Sequence, residues 1–167
     1  LVAQIVLQLA GTELADDETI RRDHVARLVR GIIPAGTADD DPLFREGLAL
    51  LGQVAGLSLA APSVAALDPR LRQKKLSDLV QAVLQTETQR QPVLLVLDDL
   101  QWADEASLNV IDQAAVAAGR TPLLILGLYR PGWSHDWDRW EHYEHLALRE
   151  LSDDAQYSLL CALLCVD

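Results

Sequence analysis

The fold is decided by residues 93–104, which read VLLVLDDLQWAD. Five apolar residues in a row, without alternation, are typical of a strand that is buried on both faces of a parallel sheet. Asp98 and Asp99 end this strand. Asp104 is suited to begin a helix, because its carboxylate can accept a hydrogen bond from a free backbone N–H group. The stretch therefore predicts a strand, an acidic turn and a helix in succession.

A second apolar run occupies residues 123–129, after a break at residues 119–122. Strand, helix and strand in this order form the pattern of a βαβ unit, with parallel strands and a right-handed crossover. Residues 1–91 instead carry apolar side chains at three- and four-residue steps, which is typical of helices. Aspartate–proline pairs at Asp41 and Asp68 are good helix starts, since the capping oxygen and the fixed proline dihedral are adjacent.

The expected fold class is α/β, with a helical N-terminal half. We divide the chain into a helical segment (1–91), a parallel α/β core (92–150) and the start of a C-terminal helical unit (151–167). Residues 146–148, Leu-Ala-Leu, predict a further short strand in the core.

Composition excludes several classes of protein. The 167 residues are 50% hydrophobic and 23% charged, which is enough apolar material for a packed core. The net charge of −11 disfavours a broad electrostatic contact with nucleic acid or with an anionic membrane surface. Cys161 and Cys165 cannot form a disulfide framework, so a reducing, cytoplasmic location is expected. The chain has no Met and reads as a piece of a larger protein.

Adjacent carboxylates at the end of a buried parallel strand point to metal chemistry. Ligands of parallel α/β sheets bind beyond the carboxyl ends of the strands, and two neighbouring carboxylates there repel each other. A Mg²⁺ ion would offset that repulsion. Asp98 would then hold the metal, and Asp99 would orient and deprotonate an attacking water. The alternative is that both acids only end the strand and lie in solvent.

The same stretch resembles the Walker B strand of the STAND branch of P-loop ATPases. More narrowly, it is similar to the AAA-like modules found next to bacterial adenylate/guanylate cyclase domains, LuxR-type regulators and Ser/Thr kinases. In that group an apolar strand leads into two acids, an apolar residue, His or Gln, Trp, Ala and Asp, and then a helix with an early Ser. Residues 98–104 and Ser107 match this pattern. Residues 129–131, Tyr-Arg-Pro, are similar to the end of the group's next strand, and residues 150–155 to the start of its helical lid.

The resemblance implies a partial three-layer, parallel-sheet P-loop NTPase fold. It also implies an ATP-binding and ATP-hydrolysing module that regulates an attached cyclase, kinase or transcription-regulator domain of the same polypeptide. ATP and Mg²⁺ would be the cofactors of the intact parent. Asp98, Asp99 and Arg130 would bind them, with Asp98 on the metal and with Asp99 and Arg130 as catalytic residues. Arg130 would contact the γ-phosphate; its alternative role is a salt bridge to Asp98 or Asp99.

The chain departs from the group in one respect. It contains no GxxxxGK[ST] sequence, so no glycine-rich loop is available to hold the β- and γ-phosphates. The resemblance places that loop before Leu1 and its strand between the two strands predicted here. We therefore expect a gap, or a substitute, in the middle of the sheet. We also expect that the isolated chain does not hydrolyse ATP.

Two other functions stay open. In a protein-interaction or regulatory module without nucleotide chemistry, Asp98 and Asp99 would be structural. A metal-dependent hydrolase would use the same acids, although no histidine is near them in sequence. The oligomeric state is not indicated.

Several other side chains have a structural interpretation that we prefer. Trp102 is expected to pack the helix against the strand, burying about 150–250 Å²; stacking on a base is the alternative. The second helix carries arginines that are expected to form a solvated face, with a phosphate or partner site as the alternative: Arg21, Arg22, Arg27 and Arg30. Zinc binding is disfavoured by the spacing of the C-terminal histidines, which are His135, His142 and His145.

Overall fold

The computed structural model describes residues 1–59 and 61–164. They belong to two compact units, the first being Leu1–Trp133 and the second beginning at Ser134. The boundaries that the sequence predicts at residues 92 and 151 stay predictions.

The first unit contains a helical half followed by strand, helix and strand. Its helices are α1 (Val2–Ala10), α2 (Glu18–Ile32), α3 (Pro42–Val54), α4 (Pro62–Ala65), α5 (Pro69–Arg90) and α6 (Glu105–Ala118), and its strands are β1 (Val93–Leu97) and β2 (Leu123–Gly127). The mixture of helices with a small parallel sheet agrees with the expected α/β class.

Aspartate side chains begin four of these helices. Each carboxylate accepts a hydrogen bond from a backbone N–H group in the first turn, at 2.8 to 2.9 Å. This is the capping geometry that the sequence predicts for Asp41, Asp68 and Asp104, because the first N–H groups of a helix have no partner within it. The four residues are Asp17, Asp41, Asp68 and Asp104.

The core of the helical half forms around α2, which contacts α1, α3 and α5. Val25 and Val29 of α2 are fully buried, and Leu51 of α3 and Val80 of α5 are 1% exposed. Burying each such side chain contributes roughly 1.5–3 kcal/mol. Gly47 lets α3 approach closely, since a Cβ atom there would lie 3.1 Å from a methyl group of Val29.

The two strands pair directly and in parallel. The register runs from Val93 opposite Leu123 to Leu97 opposite Gly127, and α6 forms the connection between the strands. The predicted βαβ order is therefore confirmed. The sequence predicts a gap or a substitute in the middle of the sheet. The gap is wrong, because the two strands pair directly with each other along their full length.

The sheet buries one face and exposes the other. Leu95 and Leu97 of β1 are 6% and 1% exposed, whereas Leu94 and Val96 are 58% and 48% exposed. The exposed face continues onto β2 at Leu124. Burial on both faces, which the unbroken apolar run predicts, is therefore wrong for this chain.

The second unit contains a 3₁₀ turn (Asp136–Arg139) and helix α7 (Asp153–Leu164). At the start of α7, Ser152 Oγ accepts a hydrogen bond from the Ala155 N–H group at 3.3 Å. The short strand predicted at residues 146–148 does not form. A strand requires a hydrogen-bonded neighbour, and in the described part of this unit no strand is present to pair with it.

Within residues 1–59 and 61–164, no helix combines the length and apolar character that crossing a membrane requires.

Candidate functional site at the carboxyl edge of the sheet

The candidate site lies where the two parallel strands end. The N–H group of Leu128 donates to the carbonyl of Leu97 at 2.8 Å, and the N–H group of Leu100 donates to the carbonyl of Leu128 at 3.0 Å. These bonds continue the pairing past the strand ends. They hold the segment after β1, with Asp98 and Asp99, beside the segment after β2.

The backbone makes a sharp turn at Asp99. This residue has φ 55° and ψ 43°, a left-handed conformation that costs a residue with a Cβ atom roughly 1–2 kcal/mol and that Asp tolerates better than most. The Asp99 N–H group donates to Asp98 Oδ1 at 2.8 Å, and a 3₁₀ turn (Leu100–Trp102) follows. Leu100 is fully buried and anchors the turn, so that both carboxylates are exposed at the edge of the sheet.

Gln101 connects the two strand ends through its side-chain amide. Its Nε2 donates to Asp99 Oδ1 at 2.5 Å, and its Oε1 accepts a hydrogen bond from the Arg130 N–H group at 3.1 Å. One side chain thus fixes a carboxylate after β1 and the backbone after β2. The sequence did not predict this role, because it depends on the strands being direct neighbours.

A cavity of 530 Å³ opens beside the two acids. It lies between α1, the end of β1 and the start of α6, and its lining includes Gln4, Gln8, Asp98, Asp99, Trp102 and Asp104. The contribution of α1 was not predicted. One sequence feature could have indicated it. Gln4 and Gln8 lie four residues apart in an otherwise apolar helix, and such residues share one helix face.

The two carboxylates fit a hard divalent cation. In the described part of the chain, neither Asp98 nor Asp99 forms an ion pair, and each keeps its Oδ2 atom without a hydrogen-bond donor. Carboxylate oxygens are the preferred ligands of Mg²⁺, which is usually held by one or two of them together with water and phosphate. Larger metal-binding groups of three or more His, Cys, Asp or Glu residues do not occur among the described residues.

The structure brings Arg130 to the same edge as Asp98 and Asp99. Its side chain is exposed, and its backbone is tied to Gln101. The alternative of a salt bridge is wrong, because no described ion pair joins Arg130 to either acid.

Trp102 does not pack the helix against the strand. Its side chain is 78% exposed, so the predicted packing role is wrong. The reason is the 3₁₀ turn, which buries Leu100 and leaves the indole two residues later at the cavity.

Two of the arginines on α2 make specific contacts. Arg21 is half-buried and differs from the predicted solvated face, whereas Arg30 is exposed and agrees with it. Arg21 Nη1 donates to the carbonyl of Ala55 at 2.7 Å, which satisfies a carbonyl at the end of α3. Arg30 forms an ion pair with Asp39 at 2.8 Å. Both side chains therefore connect α2 to neighbouring segments.

The cysteine pair can be described in part. Cys161 is a free thiol in α7 with intermediate exposure, and Cys165 lies outside the described residues.

Asp104 provides a pH-dependent contribution to stability beside the cavity. Hydrogen bonds from the Ser107 hydroxyl and, next in size, from the Ser107 N–H group hold the pKa of Asp104 below its ordinary value of 3.8. Because the folded state lowers this pKa, the contribution is complete above about pH 4 and is lost as the pH falls through the folded-state value.

We expect Asp104→Ala to lower the free energy of unfolding by about 1 kcal/mol at pH 7, the usual effect of losing a helix cap. The difference from the parent chain should shrink below pH 3.8. Urea unfolding followed by circular dichroism across this range measures both effects. Asp104→Asn is the control, since Asn caps as well as Asp but does not titrate. Equal stability of the Ala variant and the parent at pH 7 would contradict the assignment.

Comparison with known proteins gives two matches, one to a family model and one to a single protein. A family model described as "AAA ATPase domain" matches residues 2–126, which is most of the chain. An uncharacterized protein of Rhizobium meliloti (strain 1021) is 26% identical over 87 residues, a stretch that covers 52% of this chain and 8% of that protein. The chain thus spans a small part of the length of this relative. No solved structure gives a significant match.

Proposed function

Since the chain belongs to the AAA ATPase domain family, we propose that it is the part of a nucleotide-binding ATPase that carries the Walker B acids and the sensor arginine. The observation that carries the proposal is the position of Asp98, Asp99 and Arg130 at one carboxyl edge of a parallel sheet. Ligands of parallel α/β sheets bind at this edge.

Each of the three side chains has a distinct role in the proposal. Asp98 holds Mg²⁺, which when bound neutralises phosphate charge. Asp99 accepts a proton from the attacking water at its free Oδ2 atom, and Gln101 fixes the orientation of its carboxylate through Oδ1. Arg130 presents an exposed guanidinium that is suited to a phosphoryl oxygen.

The phosphates of the nucleotide need a second element that residues 1–167 lack. We propose that a glycine-rich GxxxxGK[ST] loop is supplied from outside this sequence. The exposed face of the sheet, with Leu94, Val96 and Leu124, supports this proposal, because parallel sheets are normally covered on both faces. The resemblance further favours a STAND-type module that regulates an attached cyclase, kinase or transcription-regulator domain.

Phosphate release from ATP tests the proposal. We expect no Mg²⁺-dependent phosphate release by the isolated 167-residue chain, because it lacks the loop that positions the β- and γ-phosphates. The full-length gene product should release phosphate when ATP and Mg²⁺ are both present, as measured with malachite green. Mg²⁺-dependent turnover by the isolated chain would contradict the need for an external loop, and an inactive full-length product would contradict the ATPase assignment.

The second candidate is a regulatory module without nucleotide chemistry. The exposed indole of Trp102 and the exposed apolar sheet face favour it, since apolar patches of this kind often mark protein contacts. The full-length sequence discriminates between the two. A Gly-rich Lys-Ser/Thr loop supports the ATPase, and its absence supports the regulatory module.

A further inference from the structure

A second cavity, of 210 Å³, is lined by α1, α2 and α5 and shares no lining residue with the cavity at the carboxyl edge of the sheet. On the α2 side it is lined by His24, Arg27 and Gly31, and on the α5 side by Glu87 and Arg90. These positions follow three- and four-residue steps, so each set forms one helix face. The volume is several times the roughly 30 Å³ that a water molecule occupies in the liquid, so the cleft has room for a small molecule.

The charged groups of this cleft leave one cation without a partner. Arg90 is paired with Glu87 at 2.7 Å, whereas Arg27 has no ion pair or hydrogen-bonded acceptor among the described residues. The formal charge of these three side chains is therefore +1, in a chain whose net charge is −11. Arg27 and Arg90 are both exposed at the mouth of the cleft, where an unpaired guanidinium favours an anion.

The backbone and the imidazole shape the site further. A Cβ atom on Gly31 would lie 3.7 Å from Arg90 Nη2, so the missing side chain leaves room beside this guanidinium. His24 Nδ1 lies 3.0 and 2.9 Å from the carbonyl oxygens of Ala10 and Gly11. Because both carbonyl oxygens are hydrogen-bond acceptors, Nδ1 must carry a proton. The other ring nitrogen, Nε2, takes no part in these two contacts. Leu28 and Val83 add apolar lining.

We propose that this cleft binds a small oxyanion, a carboxylate or phosphate group, with Arg27 and Arg90 as its ligands. Arg27 contributes the positive charge that no carboxylate neutralises. Arg90 gives up part of its contact with Glu87 and contacts the ligand instead. The apolar lining favours a ligand that carries a short hydrocarbon body.

Titration of the isotope-labelled chain tests the site by NMR. Inorganic phosphate and isobutyrate are the two probes, and each is followed through the amide signals of residues 24–31 and 86–90. Saturable shifts confined to these two segments support the site. Tighter binding of phosphate assigns a phosphoryl ligand, and tighter binding of isobutyrate assigns an apolar carboxylate. The absence of saturable shifts with both probes would overturn the proposal.

Substitutions separate this site from general charge effects. Arg27→Gln should weaken binding about tenfold or more, the loss expected for one charge-assisted hydrogen bond. Arg22→Gln is the matched control, because Arg22 is an exposed arginine of the same helix that does not line the cleft. Gly31→Leu should block binding by filling the space beside Arg90. An equal loss in the Arg22 and Arg27 variants would show nonspecific attraction and would overturn the site.

Discussion

The Asp99→Asn variant of the full-length gene product is expected to hydrolyse ATP about 10²- to 10⁴-fold more slowly than the parent, the usual contribution of a positioned general base. Asparagine keeps the size of the side chain and still reaches Gln101, but it cannot accept a proton from water. Binding of the nucleotide should change little, because Asp98 and Arg130 remain in place. Steady-state phosphate release at saturating ATP measures the turnover number, and a fluorescent ATP analogue measures binding.

Asp40→Asn is the matched control for this substitution. Asp40 is exposed in the loop before α3, so its variant removes the same charge away from the site and should keep the turnover of the parent. If Asp99→Asn keeps more than half of that turnover, Asp99 is not the base. If Asp98→Asn raises the Mg²⁺ concentration needed for half-maximal turnover whereas Asp99→Asn does not, the two proposed roles are supported separately.

The second large effect is expected for Leu97→Ala, which should lower the free energy of unfolding by about 2–5 kcal/mol. Leu97 is the last residue of β1, is 1% exposed and directly precedes the acidic turn. Removing most of its side chain leaves a cavity beneath that turn, and the surrounding residues relax only partly. Urea unfolding of the isolated chain, followed by far-ultraviolet circular dichroism, gives the difference.

Leu94→Ala provides the comparison within the same strand. Leu94 has the same side chain but is 58% exposed, so the substitution should change the free energy of unfolding by about 0.5 kcal/mol or less. Equal destabilisation by both variants would mean that the two faces of the sheet are equally covered in solution. That outcome would contradict the one-sided burial described above.

The local elements of this fold are predictable from the sequence because each depends on neighbouring residues. Asp41, Asp68 and Asp104 precede helices, and a carboxylate at such a position finds free N–H groups within three residues. The two apolar runs become β1 and β2 for a similarly local reason, since unbroken β-branched and leucine-rich segments between polar breaks favour strands. The same patterns place the two acids at the end of β1.

Features that depend on contacts between distant segments are not predictable in this way. The direct pairing of β1 with β2 contradicts the expected gap between them, because strand order is not encoded in either apolar run. The exposure of Trp102 follows from the left-handed turn at Asp99, which reverses the chain before the indole. The bridge made by Gln101 requires Arg130, which is 29 residues away in sequence.

The amide at position 101 has a consequence for how the domain responds to acidity. A carboxamide offers the same donors and the same acceptor at every physiological pH, whereas an imidazole gains a proton, and loses its acceptor, between about pH 5 and 8. The Gln101 side chain, which connects the acidic turn to the neighbouring strand end, therefore keeps the same hydrogen-bonding groups throughout this range. A response of this edge of the sheet to acidification must therefore arise at a group other than Gln101.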